Sequence, residues 1–298
     1  MKLLKSIMFG RLTTRSKVTA AATAVENSIS NESQLSVEFF NFISNAVHGN
    51  KKKSDKIVVT VVTDPNEEVF NKEVLGNRDV STSYECLLHV SKQSATDAVL
   101  VDVQPTIGGS YVSSVNTPLR EQCTIRPLSF ESPSYVATIN EAYWRSCGLT
   151  LSAILKSSLG VNLNTKNVHS KVSDGYFKVI LDGLGGIPLN KNELSVINKF
   201  AHEYLKTEKL FEVVEVSKQL AEENGIQGTH LVKIGDYVAS THGPVIRSTQ
   251  QIGRYTILKS KSGARDDVDV YGVSLPKVQP TYAYSWNLIV NNASRKLV

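Results

Sequence analysis

The chain has 298 residues, 41% of them hydrophobic, which is enough for two domains with cores of their own and too apolar for wholesale disorder. No apolar run approaches the roughly eighteen residues that a membrane-spanning helix needs, so a helical span is excluded on length. Residues 1–24 carry five cations and no acid, which equals the whole formal charge of +5, while residues 226–298 set nine Lys and Arg against four Asp and Glu; any nucleic-acid contact should therefore favour the last quarter.

Lys2, Lys5, Arg11, Arg15 and Lys17 lie among Leu, Ile, Phe, Ser, Thr and Ala, ahead of the first acid, Glu26. That composition predicts a mitochondrial presequence over residues 1–25 and hence a matrix location. A secretory leader fits less well, because Lys5 interrupts the only apolar start. Residues 26–56 read as an N-terminal extension and linker, with a helix-like patch over 37–43 and a break at Gly49-Asn50-Lys51-Lys52-Lys53-Ser54. Cys86, Cys123 and Cys147 are odd in number and form no CxxC pair, so they are expected to be reduced apolar fillers.

A first α+β domain is predicted over 57–131. The β-branched run Ile57–Thr63 reads as a strand, and Asp64-Pro65-Asn66 as the turn after it. Thr82 and Glu85 have the spacing of a capping box that opens a short helix. Two more strands are expected over 98–103 and 123–130. A second domain is predicted over 132–298. There Thr138 and Glu141 read as the cap of a helix running to Gly160, and Asn190 with Glu193 as the cap of another carrying Leu194, Ile197, Ala201 and Leu205 on one face. Strands are predicted near 174–181, 231–234, 237–238 and 255–258.

Chemistry-bearing motifs are scarce. The six histidines never fall as HxxxH or beside a cysteine at ligand spacing, and no GxSxG, Walker A or GxGxxG pattern occurs. His242 is open to reading as a lone general base. Asp266, Asp267 and Asp269 lack the downstream glutamate of a calcium loop and read as a solvated turn.

Two stretches carry a resemblance. Residues 76–130 are similar to the ubiquitin-like TGS domain of threonyl-tRNA synthetases, and residues 234–248 resemble the metal-site segment of their editing domain, which reads Tyr-Val-Asp-x-Cys-x-Gly-Pro-His. Aligning on Tyr237, Val238, Gly243 and Pro244 puts Thr241 at the cysteine and Val245 at the histidine. In the helix around Trp144–Leu151, Arg145 and Leu149 fall at the two histidines of the family's His-x-x-x-His. A guanidinium has no lone pair to give, and leucine has no donor atom. The fold implied is a β-grasp TGS unit followed by an editing-like α+β domain. The sequence also ends at Val298 without the aminoacylation domain of the full synthetases.

Together with Ile139–Cys147, Lys233–Asp236, Gly272–Pro276 and Ser294–Val298, these features resemble the synthetase-derived proteins of the mitochondrial large ribosomal subunit. The resemblance implies a non-enzymatic structural role, with ribosomal RNA and neighbouring ribosomal proteins as partners, no cofactor, no metal and no small-molecule substrate. A free-standing aminoacyl-tRNA deacylase and a soluble tRNA-binding module are the alternatives. The expected phosphate contacts are Arg247, Arg254, Lys259, Lys261, Arg265, Lys277, Arg295 and Lys296.

Overall fold

A computed structural model describes residues 35–49, 55–62, 71–159 and 163–297. The predicted presequence, the Lys51-Lys52-Lys53 break and the Asp64-Pro65-Asn66 turn lie outside the described residues. The architecture is mixed α+β. The β-branched run becomes β1 (Lys56–Val62), which buries Ile57, Val59 and Val61 on one face. It pairs antiparallel with β2 (Asn71–Asn77) and parallel with β5 (Cys123–Leu128). β3 (Leu100–Pro105) runs antiparallel to β5 and to β4 (Tyr111–Ser114), giving the order β2-β1-β5-β3-β4.

Two short helices, α2 (Ser83–Val90) and α3 (Lys92–Asp97), connect β2 to β3. The expected capping box opens α2: Glu85 N–H donates to Thr82 Oγ1 at 3.2 Å, and Thr82 N–H to the Glu85 carboxylate at 2.9 Å. Cys86 and Leu87 then close one sheet face in a core with Val59, Val61 and Ile125.

The second half is organised around one helix, α4 (Val136–Leu159). It follows a 3-10 turn over Pro133–Tyr135, so Thr138 lies inside the helix and is not the cap its spacing suggested. Every residue from Ser146 to Leu155 is buried. Hydroxyls are tolerated there because they bond back along the helix, Ser146 to the Ala142 carbonyl at 2.7 Å and Thr150 to that of Ser146 at 2.8 Å. An antiparallel sheet of β11 (Ile252–Ser262), β12 (Val268–Pro276), β7 (Phe177–Asp182) and β6 (Asn164–His169), in that order, packs against α4. A Cβ on Gly148 would collide with Val168 of β6, which is why the helix needs glycine there.

Helix α5 (Lys191–Lys206) starts with the expected Asn190–Glu193 box and buries Ile197 and Ala201. A three-stranded sheet, β10 (Tyr237–Thr241), β9 (His230–Ile234) and β8 (Phe211–Glu215), completes the core; the short α6 (Lys218–Glu223) lies between β8 and β9. This core also takes in Val99, Leu100 and Leu128 from the first sheet, so apolar packing runs across the two halves. Polar ties follow the same seam: Asn116 Nδ2 donates to the carbonyls of Phe211 (2.9 Å) and Arg247 (2.8 Å), and Gln251 Nε2 to that of Ala98 (2.8 Å).

Two further helices dock on the outside. α1 (Val37–His48), within the segment read as an extension, is capped by Ser36 and packs Phe40 and Ile43 with Val214, Leu231 and Val238. α7 (Ala283–Arg295) packs Trp286, Ile289, Val290 and Ala293 with Leu258, Val273 and Leu275 of β11 and β12. Among the described residues no helix is long and apolar enough to cross a membrane.

Candidate functional site

The helix turn and the loop singled out by the sequence meet in space. Arg145 Nη1 donates to the Pro244 carbonyl at 2.6 Å, and its guanidinium lies across Gly243, where a Cβ would stand 3.0 Å from it. Burial pulls the Arg145 guanidinium below its ordinary pKa, with Glu141 opposing. Leu149 and Val245 are fully buried in the main core. The loop is pinned by its own amides: Val245 N–H donates to Ser114 Oγ at 2.8 Å and Ile246 N–H to Ser146 Oγ at 3.0 Å. Of the four positions only Thr241 offers a lone pair, and a neutral hydroxyl is a poor ligand for zinc. A metal of the editing type does not fit these residues.

Beside this closed point lies an open cleft of about 410 Å³, lined by Glu141, Arg145, Lys166, His169, Thr241 and His242 among others. Its charges are largely matched within the chain. Lys166 Nζ sits 2.8 Å from Asp267 and 3.7 Å from Asp182. His169 Nε2 lies 2.7 Å from Asp174, and that hydrogen bond draws the Asp174 carboxyl below its usual range. His242 is exposed and makes no side-chain hydrogen bond among the described residues. The aspartate cluster is not the solvated turn expected of it: Asp267 is buried against Lys166, and Asp269 bonds Lys178 at 3.1 Å and Tyr271 at 3.1 Å. Among the described residues no three His, Cys, Asp or Glu side chains are grouped to hold a metal ion.

The predicted phosphate contacts divide by place. Arg247 stands apart: its side chain is only 15% exposed, it pairs with Glu208 at 2.6 Å and it stacks over Tyr84. The other seven belong to the C-terminal hairpin and helix. Arg254 donates twice to the Thr281 carbonyl, at 3.1 and 2.7 Å, near the Trp286 ring, and Lys277 reaches Gln250 at 3.2 Å. Lys259 Nζ lies 3.3 Å from the Leu297 carbonyl, and Lys296 bonds the Asp174 carbonyl at 3.1 Å. Lys261 is half-buried on β11, Arg265 is exposed in the β11–β12 turn at φ 53°, and Arg295 is exposed at the end of α7.

Two features escaped sequence reasoning. Ser113 Oγ donates to Glu215 at 2.7 Å, with His230 Nε2 3.6 Å from the same oxygen. Burial pushes the Glu215 carboxyl up, but His230 and Ser113 outweigh it and hold the group below its ordinary value. The second is α7 with its exposed tyrosines. Nothing in the local sequence announces the first, whose partners are 102 residues apart. The second could have been found from the Trp286, Ile289, Val290, Ala293 spacing.

No family model matches the chain. Among curated proteins it is similar to "Large ribosomal subunit protein mL39" of Drosophila melanogaster, 24% identical over 228 residues that make up 67% of this chain and 66% of that protein. It is also similar to "Threonine--tRNA ligase 2, cytoplasmic" of Xenopus tropicalis, 24% identical over 228 residues, 69% of this chain and 26% of the ligase. The chain thus spans just under two thirds of the first relative and about a quarter of the second. Both resemblances expected from the motifs, to a ribosomal protein and to a threonyl-tRNA synthetase, are found.

Proposed function

We propose that this chain is a structural constituent of the mitochondrial large ribosomal subunit, a synthetase-derived scaffold that catalyses nothing and works in the matrix. The observation that carries the reading is the meeting of α4 with the 241–246 loop, where a guanidinium bonded to Pro244 and two buried aliphatic side chains, Leu149 and Val245, replace every strong ligand. Similarity to mL39 supplies the ribosomal context. In this reading residues 57–131 are a TGS-type β-grasp unit, which the order β2-β1-β5-β3-β4 with its central parallel pair supports, and residues 132–298 are a degenerate editing-like domain. Ribosomal RNA and neighbouring ribosomal proteins are its partners.

The test is composition. Mitochondrial large subunits washed in high salt should contain the protein at one copy each, and the purified chain should hold no stoichiometric zinc and leave seryl-tRNA intact. Absence from washed subunits, or deacylation above background, would sink the proposal.

A further inference from the structure

Helix α7 presents two unlike faces. Trp286, Ile289, Val290 and Ala293 are used against the sheet. The opposite face and the turn before it carry Tyr282, 87% exposed, and Tyr284, 74% exposed, with Leu288 one turn beyond. Two neighbouring, highly exposed tyrosines offer large flat contact area of the kind enriched at binding surfaces. One cation adjoins them and two lie on flanking segments. Arg254 is anchored beside Tyr282 by its two bonds to the Thr281 carbonyl, and Lys277, whose backbone packs on the neighbouring Gly253, directs its ammonium to Gln250. Arg295 closes the far end of the helix. From Val270 to Val298 the chain contains no Asp or Glu, and none occurs between Tyr237 and Arg265.

We infer that this surface is an RNA-stacking platform: Tyr282 and Tyr284 receive unpaired bases of single-stranded RNA while Arg254, Lys277 and Arg295 contact its phosphates. The inference rests on the ribosomal reading above and names where that RNA is held. Charge decides between RNA and a protein groove. Segments that carry cations and no acid match a polyanion. A helix docking into a protein groove would continue its apolar stripe for two or more turns. Here the outer face runs Tyr284, Leu288, Asn291, Arg295 and turns polar after a single turn. Aromatic rings beside cations are the common arrangement for binding bases that have left a helix, since every base has a π-face. An RNA duplex keeps its bases stacked and offers these rings nothing.

The full-length chain is tested against a fluorescein-labelled single-stranded RNA of twelve mixed nucleotides and a duplex of equal length. Tyr282→Ala with Tyr284→Ala should weaken single-strand binding about tenfold or more and leave its salt slope unchanged, whereas Tyr282→Phe with Tyr284→Phe should bind like the parent. Arg254→Gln, Lys277→Gln and Arg295→Gln together should flatten the log-log salt slope by about 0.7 for each true contact. Equal single-strand binding by the alanine pair, or a duplex preferred over the single strand, overturns the platform. So does ultraviolet cross-linking of washed subunits that joins residues 277–288 to a protein and not to RNA. Absence of the chain from washed subunits would instead defeat the ribosomal reading, which separates the two failures.

Discussion

Replacing Leu149 by histidine restores the residue type expected at a metal-site position, and the structure says that it should fail as a restoration. Leu149 is fully buried in the main core. The exchange forfeits about 1.5–3 kcal/mol of apolar burial. It also leaves an imidazole nitrogen unsatisfied at about 1–3 kcal/mol, so the net loss is about 2.5–6 kcal/mol. For a chain of this size that corresponds to a fall in Tm of roughly 4–10 °C, read by circular dichroism. Leu149→Met, which conserves volume, should cost less than about 1.5 kcal/mol. The pH dependence is a second signature. Burial holds the new imidazole below its unfolded pKa of about 6.5, so the unfolded state binds the extra proton first and the deficit widens as pH drops toward about 5.5. Added zinc should not rescue the variant, because Arg145 still occupies the neighbouring position. A Leu149→His chain as stable as the parent, or one stabilised by zinc, would show that the site is open and would refute the closed-core argument.

Glu215 is held below its ordinary value of 4.5, so its contribution to stability is present above that pH and is lost as pH falls through the lower folded value. Urea midpoints should therefore drop as pH falls below about 4.5, and Glu215→Gln should flatten that drop; parallel profiles for the two chains would contradict it. Burial pushes the Cys86 and Cys123 thiols up to about 11 and Cys147 to about 12, so alkylation of the folded chain near pH 8 should run at least about a hundredfold slower than in urea. Fast labelling of any of the three in the native protein counts against this packing. Gly148→Ala gains about 1 kcal/mol of helix propensity but forces a Cβ into Val168, at about 1–3 kcal/mol of overpacking, so the urea midpoint should fall. A rise would mean that α4 and β6 are less close than described.

What the sequence revealed depended on how local the code was. The Thr82–Glu85 and Asn190–Glu193 boxes were legible because a cap is decided within four residues, and β1 because its β-branched residues alternate against a core. The same local pattern misled at Thr138, where Pro133 had already started the chain turning. Edge strands β2 and β6 were hard to read because one neighbour or none means little burial, and Asn71–Asn77 and Asn164–His169 are mostly polar. The α7 start was silent for another reason: its N-cap, Tyr282, has no side-chain oxygen bonded to the first turn. At the site, alignment to the synthetase pattern located Arg145, Leu149, Thr241 and Val245, but not that Arg145 would close the loop through the Pro244 carbonyl, 99 residues away.

The two groups of charged side chains differ in how they are held, and that difference bears on where this chain should attract a polyanion. In the cleft Arg145 is bonded to the Pro244 carbonyl, whereas Lys166 faces Asp267 and Asp182 and His169 faces Asp174. Such pairs cancel the field beyond a few ångströms, and water and salt remove the rest. Around α7 the partners are neutral oxygens, the carbonyls of Thr281, Leu297 and Asp174 for Arg254, Lys259 and Lys296, and the amide of Gln250 for Lys277. Among the described residues none of the seven C-terminal candidates forms an ion pair with a carboxylate. A carbonyl orients a cation without neutralising it. Four cations of this face are therefore positioned by neutral oxygens, whereas Lys166 of the cleft is matched by two carboxylates, so phosphate should be drawn to the face around α7 more than to the cleft.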